Sequence, residues 1–294
     1  MKKISKLLAL ETTDVSGSVA LCEDGQIITR RFLCPERRSA QSLAPAIQSL
    51  LRDYDWKPTD VDVVAVALGP GSFTGLRVGV ATGKMFAWAV NAHIIGVDAL
   101  DAIVATIIRS DSFKPEEPTI LSVGMDAQRG DAAIRRYLVV PRPDRKGLTA
   151  LSLEGRFRVV AIEKWLGTDD EVPLLDSLSG EPHPELEHIL SQLSSEQIAV
   201  LRTIKAKDAY FAGPALRRVK ELSTKYPSVR LIAEEQWNPD AAGVALVAWE
   251  NAVAGAFDDV WKILPKYSRR AAAEEKFLAK QRVLNNGQKT DSGV

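Results

Sequence analysis

The sequence predicts an α/β fold built from two related units, on three observations. Short β-branched runs such as Val61–Leu68 are apolar at nearly every position, as in strands covered on both faces. Between them lie stretches with apolar residues at helical spacing, such as Leu43, Ile47, Leu50 and Leu51. The step from strand through Gly-Pro to helix occurs twice, at Gly69-Pro70 and Gly213-Pro214, as an internal duplication would leave it.

In the first unit, Leu7–Glu11, Gly17–Glu23 and Gln26–Leu33 read as an antiparallel meander, with turns at Asp14–Gly17 and Glu23–Gly25. Ser39–Tyr54 is an amphipathic helix. The Val61–Leu68 strand leads through GPGSFTG into a helix over Thr74–Val90, which Thr74 or Ser72 can cap. A strand at His93–Val97 follows, then a helix capped by Asp98 and running to Arg109. The proline-containing linker Lys114–Pro118 places the end of this unit near residue 115.

Thr119–Asp126 opens a second unit, with Ala132–Val140 as its hairpin partner. Pro141–Leu153 and Leu174–Pro184 are rich in Gly, Pro, Ser or Arg and read as loops, part of an insertion over 141–195. A helix at Ser195–Ala206, strands at Tyr210–Ala212 and Val229–Ala233, and a helix at Asp240–Gly255 complete it. The division expected is 1–115, 116–280 and a polar, disordered tail at 281–294.

Gly75, Gly79 and Gly83, followed by Ala87, recur every four residues and give one helix face almost no side chain. Each interior glycine costs about 1 kcal/mol relative to alanine, so a close contact must compensate. That contact is either the helix's own sheet or another helix. A glycine-rich turn into a helix can also hold phosphate, but GPGSFTG lacks the Lys-Ser/Thr of a P-loop and the spacing of a dinucleotide fingerprint.

Composition is that of a globular chain, and 38 basic against 38 acidic residues leave no overall field for nucleic acid. The basic clusters Arg30, Arg31, Arg37, Arg38 and Lys266, Arg269, Arg270 read chiefly as solvated faces. The apolar run after Lys6 is too short for a signal peptide or membrane span. Two cysteines, Cys22 and Cys34, suit neither a disulfide framework nor a metal site, so a reducing cytoplasm is expected. His183 and His188, five apart in a proline-containing segment, do not share a helix face as metal ligands would. No nucleophile–histidine arrangement stands out.

Leu8–Thr13, Gly69–Lys84, Ile95–Val97, Met125–Asp131 and Leu264–Arg269, in that order, resemble landmarks of the bacterial TsaB (YeaZ-type) family, a peptidase M22-like group. The match is most specific in the first 110 residues. The resemblance implies a duplicated actin/Hsp70/sugar-kinase-like (ASKHA) fold. It also implies a non-catalytic partner of TsaD in threonylcarbamoyl transfer to adenosine 37 of tRNAs reading ANN codons, with TsaE, an ATPase, in a larger complex. Interface candidates follow from the two helices that would pair with TsaD: Ser39, Leu43, Ile47, Gly75, Leu76, Gly79, Val80, Gly83, Phe86 and Ala87. The same surface would self-pair as a homodimer in the absence of TsaD, tRNA would be met only through the complex, and no membrane is implied.

The two metal-binding histidines of TsaD fall at Ala99 and Ile103, and a histidine that many relatives carry falls at Ser39. The family fold's DxGxT/S phosphate loop reads Glu11-Thr12-Thr13-Asp14 here. The resemblance therefore implies no cofactor or metal of its own, with ATP or ADP at the partner interface as an option. Glu11, Thr12, Asp14, Gly71 and Asp126 are the cleft candidates. The alternative is a divergent ATP-dependent phosphotransferase using Asp14 or Asp126 with magnesium.

Overall fold

Alternation of short buried strands and helices produces two five-strand paths with one topology. The computed structural model describes residues 4–15, 17–34, 39–142, 147–167 and 208–269, with isolated positions 191, 195, 198, 199 and 203. In the first sheet β1 (Lys6–Glu11), β2 (Ser18–Glu23), β3 (Gln26–Phe32), β4 (Val63–Gly69) and β5 (His93–Asp98) lie in the order β3-β2-β1-β4-β5. The second contains β6 (Thr119–Asp126), β7 (Asp131–Pro141), β8 (Leu148–Ser152), β9 (Arg158–Ala161), β10 (Tyr210–Ala212) and β11 (Arg230–Leu231). Its path is β11-β10-β6-β7-β8, with β9 also paired to β7.

The strand senses match as well. β1 is antiparallel to β2 and parallel to β4, while β6 is antiparallel to β7 and parallel to β10. This is the duplicated α/β strand plan that the sequence predicts. β4 is buried at every position, which accounts for its unbroken apolar run.

Two helices fill the space between the sheets. Leu100, Ile103, Val104 and Ile107 of α3 (Ala99–Ile107) join the core of the second sheet, whereas Ala102 joins that of the first. Across from Ala102 lies the last described helix, Ala241–Val253, which follows the second sheet in sequence but packs on the first through Val244, Ala245 and Ala248. A Cβ on Gly243 would lie 2.2 Å from the Ala102 carbonyl oxygen, so the two helix backbones meet directly. The first sheet's other face carries α1 (Ser39–Asp53) and α2 (Phe73–Val90), with Leu43, Ile47, Leu50 and Val80 in the same core as Leu8, Leu10 and Val66.

The second unit departs from expectation in two places. Residues 148–152 form β8 rather than loop, because β7 runs on to Pro141 and supplies a full edge for pairing. After Gly213-Pro214 the chain makes only a 3₁₀ turn at Pro214–Arg218 and the short α5 (Leu222–Lys225), not a counterpart of α2. A one-turn helix, α4 (Ile162–Leu166), anchors the 147–167 stretch by burying Trp165, whose indole N–H donates to Ser122 Oγ at 2.8 Å. The expected helix at Ser195–Ala206 falls mainly outside the described residues; the Leu174–Pro184 loop, His183, His188 and the 281–294 tail lie outside them entirely. With α4 and α5 placed, the Ala241–Val253 helix is α6.

The glycine stripe generates a stability prediction. A Cβ on Gly75 would stand 1.9 Å from the Thr12 carbonyl oxygen, a backbone atom that cannot move aside. Gly75→Ala is expected to cost about 1–3 kcal/mol in chemical denaturation, despite alanine's better helix propensity. Unchanged or increased stability would contradict the placement of α2.

Candidate functional site

Residues 11–14 and 69–79 build one compact junction from the end of β1 and the turn into α2. Gly69-Pro70 is a cis peptide, and Ser72 N–H donates to the Thr13 carbonyl at 2.7 Å. Ser72, one of the two expected caps, accepts from Gly75 N–H through its hydroxyl at 3.3 Å. Thr12 Oγ1 donates to the Gly75 carbonyl at 2.8 Å. A Cβ on Gly79 would fall 2.2 Å from that same hydroxyl oxygen, and one on Gly71 would meet the Thr13 carbonyl at 2.4 Å. The glycine face therefore serves its own sheet.

That result corrects the sequence-based interface. Gly75, Leu76, Gly79, Val80, Gly83 and Ala87 are buried within the chain, and a Cβ on Gly83 would meet Val66 and Leu10 at ordinary contact distance. Leu43 and Ile47 are likewise core residues, and Phe86 is half-buried against the same cluster. Of the interface candidates on α2, none is fully exposed, because the small residues were selected by the strand beneath them rather than by a surface neighbour. Ser39 is the first residue of α1.

Glu11 ends β1 fully buried. One carboxylate oxygen accepts from both the backbone N–H and the hydroxyl of Thr13, and the other has no hydrogen-bond partner. Burial pushes this carboxyl up to about 8, with lesser additions from Asp14 and Asp240, against the lowering effect of the Thr13 hydrogen bonds. A carboxyl that is neutral at pH 7 and turned inward is poorly suited to bind magnesium or an ammonium. Asp14 is half-buried on the turn that follows.

Asp126 holds the corresponding position at the end of β6. It accepts from Gln128 N–H at 2.8 Å and from the Arg218 guanidinium at 2.5 and 2.8 Å, so it closes its own hairpin turn and ties it to the 3₁₀ turn after Gly213. Arg269 pairs with Asp131 across the same turn. The structure thus brings Glu11, Thr12 and Gly71 together and leaves Asp126 in a separate, ion-paired cluster. Among the described residues no group of His, Cys, Asp and Glu has the arrangement of a metal site.

A third cluster escaped sequence reasoning. Arg135 on β7, 5 % exposed, donates to Asp98 Oδ2 at 2.9 Å and to Asp101 Oδ1 at 3.0 Å, and Tyr137 Oη donates to that same Asp101 oxygen at 2.6 Å. Asp98 also caps α3, accepting from Leu100 N–H at 3.1 Å. Burial raises Asp98 above the usual carboxylate range, and the neighbouring Asp101 adds to this, even though Arg135 and Lys266 pull the other way. Two carboxylates on one guanidinium fasten the start of α3 to the second sheet. Asp98 was legible only as a cap; the 37-residue separation from Arg135 hid the rest.

The outward side of α2 has a different character. Met85 is 64 % and Trp88 59 % exposed. Beside them runs the strap 258–267, antiparallel to α2, in which Trp261 and Leu264 are 70 % and 68 % exposed. Trp88 and Trp261 pack edge to face with ring centres 6.5 Å apart, and Phe73 and Tyr267 meet at 4.7 Å at the opposite end of the helix. Lys84 donates to the carbonyls of Trp261 and Ile263, both at 3.3 Å, and Lys266 N–H donates to the Leu68 carbonyl at 2.6 Å. Large exposed apolar side chains gathered in this way are characteristic of a contact surface.

Comparison with known proteins bears on this arrangement. Residues 34–147 match the family model described as TsaD, tRNA N6-adenosine threonylcarbamoyltransferase. The tRNA threonylcarbamoyladenosine biosynthesis protein TsaB of Bacillus subtilis (strain 168) is 32 % identical over 131 residues, covering 45 % of this chain and 54 % of that protein. The protein of the same description from Escherichia coli (strain K12) is 27 % identical over 196 residues, 66 % of this chain and 70 % of that one. The chain thus aligns with about half of the Bacillus relative's length. YeaZ from Pseudomonas aeruginosa superposes with a TM-score of 0.60 at 19 % identity, covering 90 % of this chain and all of that one. A further Pseudomonas aeruginosa structure, with similarity to peptidase YEAZ, gives 0.61 at 20 %, with the same coverage.

Two outcomes follow from the buried charges. The Glu11 carboxyl ionises near 4.5 in an unfolded chain and near 8 in the folded one, so unfolding releases its proton and stability falls as pH rises through that window. Glu11→Gln should flatten that fall, gaining on the order of 1–3 kcal/mol over the parent above pH 8 while matching it near pH 4, as read from denaturation midpoints across pH. Arg135→Met should leave Asp98 and Asp101 beside each other with only Lys266, 3.8 Å from Asp98, as a nearby cation, costing about 3–5 kcal/mol at neutral pH. Part of that loss should be recovered on acidification as the carboxylates protonate; a pH-independent loss would contradict the ionic reading.

Proposed function

We propose that the chain, which resembles the TsaB (YeaZ-type) family, is a non-catalytic subunit that binds a TsaD-type partner and supports threonylcarbamoyl transfer to adenosine 37 of tRNA. The observation that carries this reading is the exposed apolar surface of Met85, Trp88, Trp261 and Leu264 on the outer side of α2. The partner contact belongs on that side of the helix rather than on the glycine face. Residues 34–147, which hold α1 and α2, resemble the TsaD family itself, so a partner of that family would offer comparable helices for packing.

The state of the acidic residues supports a role without catalysis. Glu11 stands where the family fold carries its phosphate-loop aspartate, yet it is buried and holds Thr13. Asp126 is ion-paired to Arg218. The phosphotransferase alternative would need Asp14 or Asp126 to hold magnesium against a nucleotide, and Asp126 is already engaged by Arg218.

Mixing the purified chain with TsaD from the same organism tests the proposal by co-elution and by threonylcarbamoyl transfer, each protein alone serving as control. Activity that needs both chains is the expected result. Met85→Glu combined with Trp88→Ala should weaken association by about tenfold or more, as expected when central aromatic anchors are lost, without lowering the thermal midpoint. ATP turnover by this chain alone, with no response to TsaD, would replace the proposal with the phosphotransferase alternative.

A further inference from the structure

At the end of β7 remote from the Asp126–Asp131 turn, a cleft of about 950 Å³ opens between α3, the 108–116 connection, the β7–β8 pair and α6. Its volume is in the range of small-molecule sites. It lies apart from α2 and from the Glu11 junction, and nothing in the proposed role uses it. Ala105, Ile108, Phe113, Leu148, Ala150 and Val247 give it apolar walls.

Asp101 and Tyr137 also line the cleft. The Asp101 side chain is 33 % exposed. Its Oδ1 is held from behind by Arg135 and by the Tyr137 hydroxyl, at 3.0 and 2.6 Å, which fixes the carboxylate plane. Its Oδ2 takes no hydrogen bond among the described residues. Of the cations that line the cleft, Arg109 pairs with Glu250 at 3.0 Å and Lys114 with Asp111 at 2.6 Å, while Arg142 donates to the Thr149 hydroxyl; the acids Asp101, Asp111, Glu116 and Glu250 outnumber these three. Lys266 stands 3.8 Å from Asp98 and does not line the cleft.

We propose that this cleft is a binding site for a small amine, with the ammonium group on Asp101 Oδ2 and an apolar body against Ala105, Ile108, Phe113 and Val247. A preoriented carboxylate with one open oxygen, set among apolar walls, favours a charged donor over a neutral one. An anion of equal size would meet the same carboxylate and be repelled.

The test uses the full chain and three probes of one shape, hexan-1-amine, hexan-1-ol and hexanoate, titrated by calorimetry at neutral pH. Saturable binding of the amine, weaker binding of the alcohol and none of hexanoate are expected. Asp101→Asn should lower amine affinity roughly tenfold, the scale of a lost charge-assisted hydrogen bond. Because that change also loosens Arg135, a second variant fills the cleft without touching the charges: Ala150→Trp, at a half-buried position on β8, should abolish amine binding with the thermal midpoint unchanged. Absence of amine binding, equal binding of hexanoate, or saturable amine binding that survives Ala150→Trp in a folded protein would overturn the proposal.

Discussion

The contact between Thr12 and the first turns of α2 is the constraint from which the first unit takes its shape. The Thr12 carbonyl and hydroxyl occupy the space that side chains at 75 and 79 would need, and the hydroxyl binds the Gly75 carbonyl. A helix brought this close to a strand end has its rotation about its own axis fixed. Once Gly75, Gly79 and Gly83 face inward, the 3.6-residue period turns Arg77, Met85 and Trp88 outward. The apolar surface on the outside is thus set by a packing decision on the inside.

The two units share a strand plan but not a division of labour. The first keeps a full helix after its Gly-Pro step, and the second keeps only a 3₁₀ turn, whose Arg218 reaches back to Asp126. Gly213 nevertheless keeps a φ of +116°, close to the +109° of Gly69, and a Cβ there would collide with Gly124 backbone of β6, as one on Gly71 would with the Thr13 carbonyl after β1. Close approach of a turn to the end of the leading strand is therefore the conserved element of the duplication within this chain, while the helix beyond it is free to change. Arg135 joins the units, since its two carboxylate partners stand at the start of the helix that both cores share.

Much of this fold was legible because its signals are local. Unbroken β-branched runs, a Gly-Pro punctuation mark and capping residues such as Asp98 act over a few positions, and the elements they announce occur within a residue or two of expectation. What lay beyond reach depends on encounters between distant segments. The four-residue glycine period reveals that something approaches α2 but not what, so strand and partner helix could not be told apart until Thr12 was placed. The 141–153 segment opens with PRPDRKG, a composition suited to a turn-rich loop, and the β8 strand within it is ordered by the edge of β7. The surface at Trp88 was missed for a related reason: its other half, Trp261 and Leu264, is more than a hundred and seventy residues away, as the Lys84 contacts to that strap measure.

That distance has a consequence for how the chain comes to present its outer surface. The α2 half is complete as soon as the first sheet has formed around it, whereas the strap half exists only when residues 261–267 have left the ribosome and Lys84 has captured their carbonyls. The finished patch is a coincidence detector for folding. The surface is complete only in molecules in which the last described segment has returned to the first unit.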